Sequence, residues 1–258
     1  MPDQAIKKIL IDPLSRVSLH VEVYFDGVQI GDATGFICKG DNTHYLVTNW
    51  HVLSGRDPET ERPLSQTSAI PNRIQIWHHA KGQLGSWVRK EVFLHEGDEP
   101  KWKEHRLGKT IDVVALPISA HEDVDFYPLD LGLAETDLII SPSEPVSIIG
   151  FPRGIAASGK FPIWKTAHVA SDLDLDCDGK PIFVVDTTTK PGMSGSPVFA
   201  RRIGGAMRTS KGFGIMAGEV TRFLGVYSGR INDDGTDAMD RYNLGRVWKA
   251  EALKELLL

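Results

Sequence analysis

The chain has 258 residues, 41% of them hydrophobic and 24% charged, with 25 glycines, which suits a soluble globular protein of many short elements. A formal charge of -5 argues against a nucleic-acid surface, which needs clustered Lys and Arg to displace phosphate counterions. No segment approaches the roughly 20 apolar residues of a membrane span, Met1 to Arg16 lacks the apolar stretch of an export signal, and the only cysteines are Cys38 and Cys177, so a cytoplasmic protein without disulfides is expected.

Runs of β-branched and aromatic residues bounded by Gly, Asp, Asn or Pro predict strands in chain order. In the first half they are Val17 to Tyr24, Gly35 to Lys39, Tyr45 to Thr48, Arg73 to His78, Trp87 to Leu94 and Asp112 to Pro117. In the second they are Val146 to Ile149, Ile182 to Asp186, Pro197 to Ala200 and Phe223 to Tyr227. An acidic connection at residues 119–130 separates the halves, and the polar stretches Ser54 to Asn72 and His95 to Thr110 read as loops. Arg201 to Arg222, with five glycines and five basic residues against one glutamate, reads as a flexible positive insertion. At the end of the chain Leu244, Val247, Trp248, Ala252 and Leu256 follow a 3.6 period and predict a helix over about 243–257.

Three segments carry chemistry. Pro191-Gly192-Met193-Ser194-Gly195-Ser196-Pro197 lies between two strand runs. A serine hydroxyl is a poor nucleophile at neutral pH and needs a base and a site for the developing oxyanion. Glycine supplies that site, because its unusual dihedrals let the N–H groups of Gly192 and Ser194 point at one oxygen. Thr48-Asn49-Trp50-His51-Val52 ends a hairpin and supplies an imidazole that titrates near neutrality. Asp112 opens the apolar run Val113-Val114-Ala115-Leu116, where a buried carboxylate requires a hydrogen-bond partner. The neighbouring His78 and His79 have no Cys, Asp or Glu at metal-ligand spacing, so neither a metal nor a cofactor is expected. The order His, Asp, Ser separates the chain from α/β-hydrolases and from subtilisin-like enzymes.

With Thr34-Gly35-Phe36-Ile37, Leu46-Val47-Thr48-Asn49-Trp50-His51, Asp112-Val113-Val114-Ala115-Leu116, Gly150-Phe151-Pro152 and the loop Asp186 to Pro197 in this order, the chain resembles the trypsin-like serine peptidases. Its motifs are most similar to bacterial HtrA-like and glutamyl-endopeptidase-like members. The resemblance implies an all-β fold of two six-stranded antiparallel β-barrels of the chymotrypsin type with a C-terminal helix. The barrels would span about 15–122 and 130–240 in one peptidase domain. It implies a serine endopeptidase with Ser194 as nucleophile, His51 as base, Asp112 orienting the base, and Gly192 with Ser194 as oxyanion donors. It places Thr188 and Thr189 at the base of the specificity pocket, Tyr227 on its wall, and Ser228, Gly229 and Arg230 along an extended peptide substrate.

Three departures from the family pattern shape the expectations. Val52 stands where secreted members carry a cysteine. Met193 replaces the aspartate that binds a freshly cut N-terminus, so the site is either preformed or ordered by substrate or a partner. The insertion at Arg201 to Arg222 bears on pocket shape. No pocket residue supplies a carboxylate for Lys or Arg, whereas Arg230 and the insertion suit acidic side chains. Activity is expected to rise with pH through a midpoint near about 6.5. The expected partners are a protein or peptide substrate and a regulatory protein, with no nucleic acid and no membrane. The alternative functions are a catalytically silent peptide-binding module and an esterase using the same triad.

Overall fold

A computed structural model describes residues 10–230 and 243–257. Residues 1–9 of the segment read for export signals, and the end assigned to the second half near residue 240, fall outside the described residues.

Strands dominate because most apolar runs alternate between two buried faces. In Val113 to Ile118, residues Val114, Leu116 and Ile118 point into the core of the first half, while Val113 and Ala115 join the core between the halves. The same alternation sends Phe183 and Val185 inward and Ile182 to the seam. A strand buried on both faces reads as a continuous hydrophobic run, as these do.

The first half contains β1 (Ser18–Phe25), β2 (Val28–Lys39), β3 (His44–Thr48), a short helix α1 (Trp50–Ser54), β4 (Arg73–Ala80) and β5 (Gln83–Phe93). Two-residue strands β6 (His95–Glu96), β7 (Glu99–Pro100) and β8 (Lys103–Glu104) follow, then β9 (Val114–Ile118) and β10 (Val124–Asp125). The second half contains β11 (Pro145–Gly150), β12 (Ile163–Val169), β13 (Ile182–Asp186), β14 (Pro197–Thr209), β15 (Gly212–Arg230), β16 (Leu244–Lys249) and helix α2 (Ala250–Leu257).

All of the ladders between these strands are antiparallel. The second half closes into a six-stranded barrel, β11-β12-β13-β16-β15-β14. The first half corrects the expected strand count: it is an eight-stranded sheet ordered β10-β4-β1-β2-β3-β9-β8, with β5 on β4. The extra strands come from stretches read as connections. Val124–Asp125 pairs with β4, and Lys103–Glu104 pairs with β9.

Two further expectations are corrected. Leu244, Val247 and Trp248 lie in β16, and the helix begins only at Ala250. β16 pairs with both β13 and β15 and completes the barrel, so ladder formation overrides the helical spacing. Ala252, Leu253 and Leu256 of α2 then pack on the seam. The insertion at 201–222 is a continuous two-stranded ribbon turning at Ser210–Lys211. It prolongs the hairpin of β14 and β15, and Ile203, Phe213 and Ile215 stand exposed on it.

Candidate active site

Three chain segments meet at the seam between the sheets. β3 runs into α1, whose second residue is His51. The Asn49 side chain before it donates to the main-chain oxygen of Asp112 at 2.6 Å, tying the two segments together. Asp112 lies just ahead of β9 rather than within it, and it is 1% exposed. Burying a carboxylate costs several kcal/mol unless donors meet it. Three do: the His51 backbone N–H at 2.9 Å, His51 Nδ1 at 2.7 Å and the Ser228 hydroxyl at 2.6 Å.

These bonds hold the His51 ring with Nδ1 toward the carboxylate, which leaves Nε2 for chemistry. Burial disfavours the charged imidazole, but the Asp112 charge, its hydrogen bond and the more distant Asp57 carboxylate outweigh this and raise the His51 pKa.

Ser194 belongs to the turn between β13 and β14, and this turn is bound on every side. The carbonyl of Pro191 accepts from Arg153 N–H at 2.6 Å, that of Gly192 from the Thr34 hydroxyl at 2.8 Å, that of Met193 from Ser196 N–H at 3.0 Å, and that of Ser194 from Thr34 N–H at 2.9 Å. A planar trans peptide aims its N–H opposite its carbonyl. The N–H groups of Gly192 and Ser194 are thus turned away from these anchors, and neither donates to a protein acceptor among the described residues. Glycine is required at 192, where φ is +96° and a Cβ would meet the Phe151 carbonyl at 2.3 Å. Gly195 is equally constrained, with a Cβ position 2.0 Å from the Thr34 carbonyl. Met193, fully buried, packs into the barrel core.

A cavity of about 420 Å³ is lined by His51, Asp112 and Ser194 together with Thr189, Tyr227, Ser228 and Gly229. β15 and the nucleophile turn thus face one space, with a Cβ at Gly229 coming 4.0 Å from Ser194 Oγ. Thr189 and Tyr227 are buried and hydrogen-bonded through their hydroxyls. Thr188 corrects the expectation: between the inward-facing Thr187 and Thr189 it points outward, is exposed and meets Lys165. The backbone of Arg230 pairs with Gly245, and its side chain lies outside the described residues.

The basic ribbon lines neither this cavity nor the one described next. Arg201 pairs with Asp12 and Glu219, Arg202 with Glu144, and Arg222 with the Leu138 carbonyl. The positive residues lining the cavity are instead Lys190 and Arg246 of β16, the latter 3.2 Å from Glu59. Glu59 also meets Lys180 at 3.5 Å, so the 54–72 loop reaches across from the first half to the second.

A second cavity, about 290 Å³, shares His51, Leu64, Pro191 and Ser194 with the first and also reaches Gly192. Its walls include Val23, Ile30, Ala33, Val52, Leu64 and Pro71. Sequence reasoning missed this apolar pocket because its residues come from distant strands and from a loop read only as polar. Among the described residues no hydrogen bond joins Ser194 to His51, and no group of three or more His, Cys, Asp or Glu is arranged to hold a metal.

The trypsin-like peptidase domain matches residues 33–205, well over half of the chain. Among solved structures, the serine endoprotease from Yersinia pestis is similar at a TM-score of 0.51 and 13% identity, over 96% of this chain and 66% of that one. This chain therefore spans just under two thirds of that protein's length. The apo MamO protease domain from Magnetospirillum magneticum is similar at a TM-score of 0.52 and 13% identity, over 95% of this chain and 98% of that one. At such identities the likeness concerns the fold. No curated protein matches the chain by sequence. The family match across both halves, carried on a chymotrypsin-like arrangement of antiparallel strands, means that this chain belongs to the trypsin-like peptidases.

Proposed function

We propose that the protein is a serine endopeptidase that cleaves peptide bonds through an acyl-enzyme on Ser194. The observation that carries this reading is the buried Asp112 carboxylate, 2.7 Å from His51 Nδ1, in a cleft that Ser194 also lines. His51 Nε2 takes the Ser194 proton as Oγ attacks the substrate carbonyl, and it returns that proton to the departing amine. The oxyanion is met by the N–H groups of Gly192 and Ser194. Water then repeats the sequence on the ester and releases the acid.

The substrate lies extended along Ser228 and Gly229, pairing with the stretch of β15 beyond Val226, where the ladder with β14 ends. Its side chain before the scissile bond faces the hydroxyls of Thr189 and Tyr227 rather than a carboxylate, which disfavours Lys and Arg. A peptide-library cleavage profile reads this preference directly. The two cysteines are free, and burial pushes the Cys38 thiol up to about 12. Such a thiol stays protonated and is a poor nucleophile, so Cys38 takes no part in the chemistry.

The missing Ser194–His51 hydrogen bond favours the alternative of a silent peptide-binding module. Such bonds, however, are often long without substrate and tighten when it binds. Treatment with a fluorophosphonate probe separates the readings. The enzyme labels at Ser194 and Ser194→Ala does not, whereas equal absence of label in both proteins favours the binding module.

A further inference from the structure

We propose that Thr34 of β2 is a positioning residue for the reaction, holding the oxyanion-binding turn in its donor-out state in place of the ion pair that Met193 cannot make. The inference rests on the peptidase reading above.

Thr34 is fully buried and belongs to the first half of the molecule, whereas everything it holds near Ser194 belongs to the second. Each of its polar groups is engaged. The hydroxyl donates to the Gly192 carbonyl at 2.8 Å and accepts from Phe151 N–H at 3.0 Å. The backbone N–H donates to the Ser194 carbonyl at 2.9 Å, and the carbonyl accepts from the Thr48 hydroxyl at 2.8 Å.

The consequence lies in which peptides are tied. Reversing the Pro191–Gly192 peptide would put a carbonyl where the oxyanion needs an N–H. The Arg153 N–H prevents this by binding the Pro191 carbonyl, and Arg153 sits in the turn that begins at Phe151. Thr34 therefore constrains Gly192 from both sides: directly through its carbonyl, and indirectly through the Phe151 turn. One hydroxyl serves both roles because it donates once and can accept twice. Close packing adds to this, since a Cβ at Gly150 would meet the Thr34 hydroxyl at 2.6 Å. The neighbouring halves can separate only by breaking these bonds, so the donors are set before substrate arrives.

Thr34→Val keeps the shape and deletes the hydroxyl, leaving the Gly192 carbonyl and the Phe151 N–H without partners. Thr34→Ser retains it. Ser18→Ala is the control: it removes another buried bond between the halves, Ser18 hydroxyl to Ile149 carbonyl at 2.8 Å, without touching the turn. The readouts are the maximal rate and half-saturating concentration for labelling by a fluorophosphonate probe, with urea midpoints to establish folding. Thr34→Cys replaces the valine variant if that variant is unfolded.

The expected result is a maximal rate lower by at least about tenfold in Thr34→Val, the smaller end of the penalty for a buried acceptor left unpaired. Its half-saturating concentration is unchanged, Thr34→Ser recovers the rate, and Ser18→Ala keeps it. A folded Thr34→Val that labels at the wild-type rate, a serine variant that does not recover it, or an equal loss in Ser18→Ala overturns the inference while leaving the peptidase reading intact. A wild type that fails to label overturns both.

Discussion

Asp112→Asn isolates the electrostatic part of the site, because it preserves shape while turning one acceptor into a donor. Oδ1 receives the His51 backbone N–H, whereas Oδ2 receives His51 Nδ1 and the Ser228 hydroxyl. The backbone N–H cannot reverse its role, so the asparagine oxygen takes the Oδ1 place and its NH2 group faces Nδ1. The Ser228 hydroxyl can rotate and accept. Nδ1 can accept only by losing its proton, which moves to Nε2, the nitrogen that must take the proton of Ser194. The base is thereby disabled in a folded protein. The expected fall in kcat is about 10⁴-fold, equivalent to about 5.4 kcal/mol of transition-state stabilisation, with KM nearly unchanged. Serine-dependent hydrolysis of p-nitrophenyl acetate measures it, with Ser194→Ala as background and urea midpoints to establish folding. A folded Asp112→Asn within tenfold of the wild-type kcat would refute the idea that this carboxylate sets the His51 tautomer.

Two other outcomes follow from the titrating groups. His51 is the base only when neutral, and its raised pKa places the activity midpoint above about 6.5. Asp57→Asn removes one raising charge and shifts the pH–rate midpoint downward, so an unmoved midpoint contradicts the assigned coupling. The stability contribution of His51 has the opposite sense: it is present below the unfolded pKa and is lost as pH rises through the higher folded value. His78 behaves differently, since burial, aided by His121, His79 and Lys90, pushes its pKa down to about 4. Its contribution to stability is complete above about 6.5 and is lost as pH falls toward 4. The urea midpoint should therefore decline over that range, and less steeply in His78→Leu; identical pH slopes in the two proteins count against this role.

The chemistry-bearing segments were legible along the chain because each obeys a local rule. Gly192 and Gly195 mark a turn that admits no Cβ, Asp112 breaks an apolar run, and His51 follows a hairpin. Their order along the chain pointed to the fold. Residue periodicity also located most strands, since a strand buried on both faces needs little beyond its own apolar residues to be recognised.

What the chain alone could not supply were the partners of those residues. Leu244, Val247 and Trp248 carry helical spacing, yet two neighbouring strands claim their backbone, and ladder bonds at both edges outweigh a weak local preference. Arg201 to Arg222 looked like a loop because glycine is poor strand material, but each edge-to-edge bond with the facing segment holds it extended. Ser228 gave no sign of meeting Asp112, nor Thr34 of holding Gly192, because those contacts join segments more than a hundred residues apart. Local propensity and burial period act along the chain. Hydrogen-bond satisfaction in a buried seam depends on which distant groups folding brings together, and only the tertiary structure decides that.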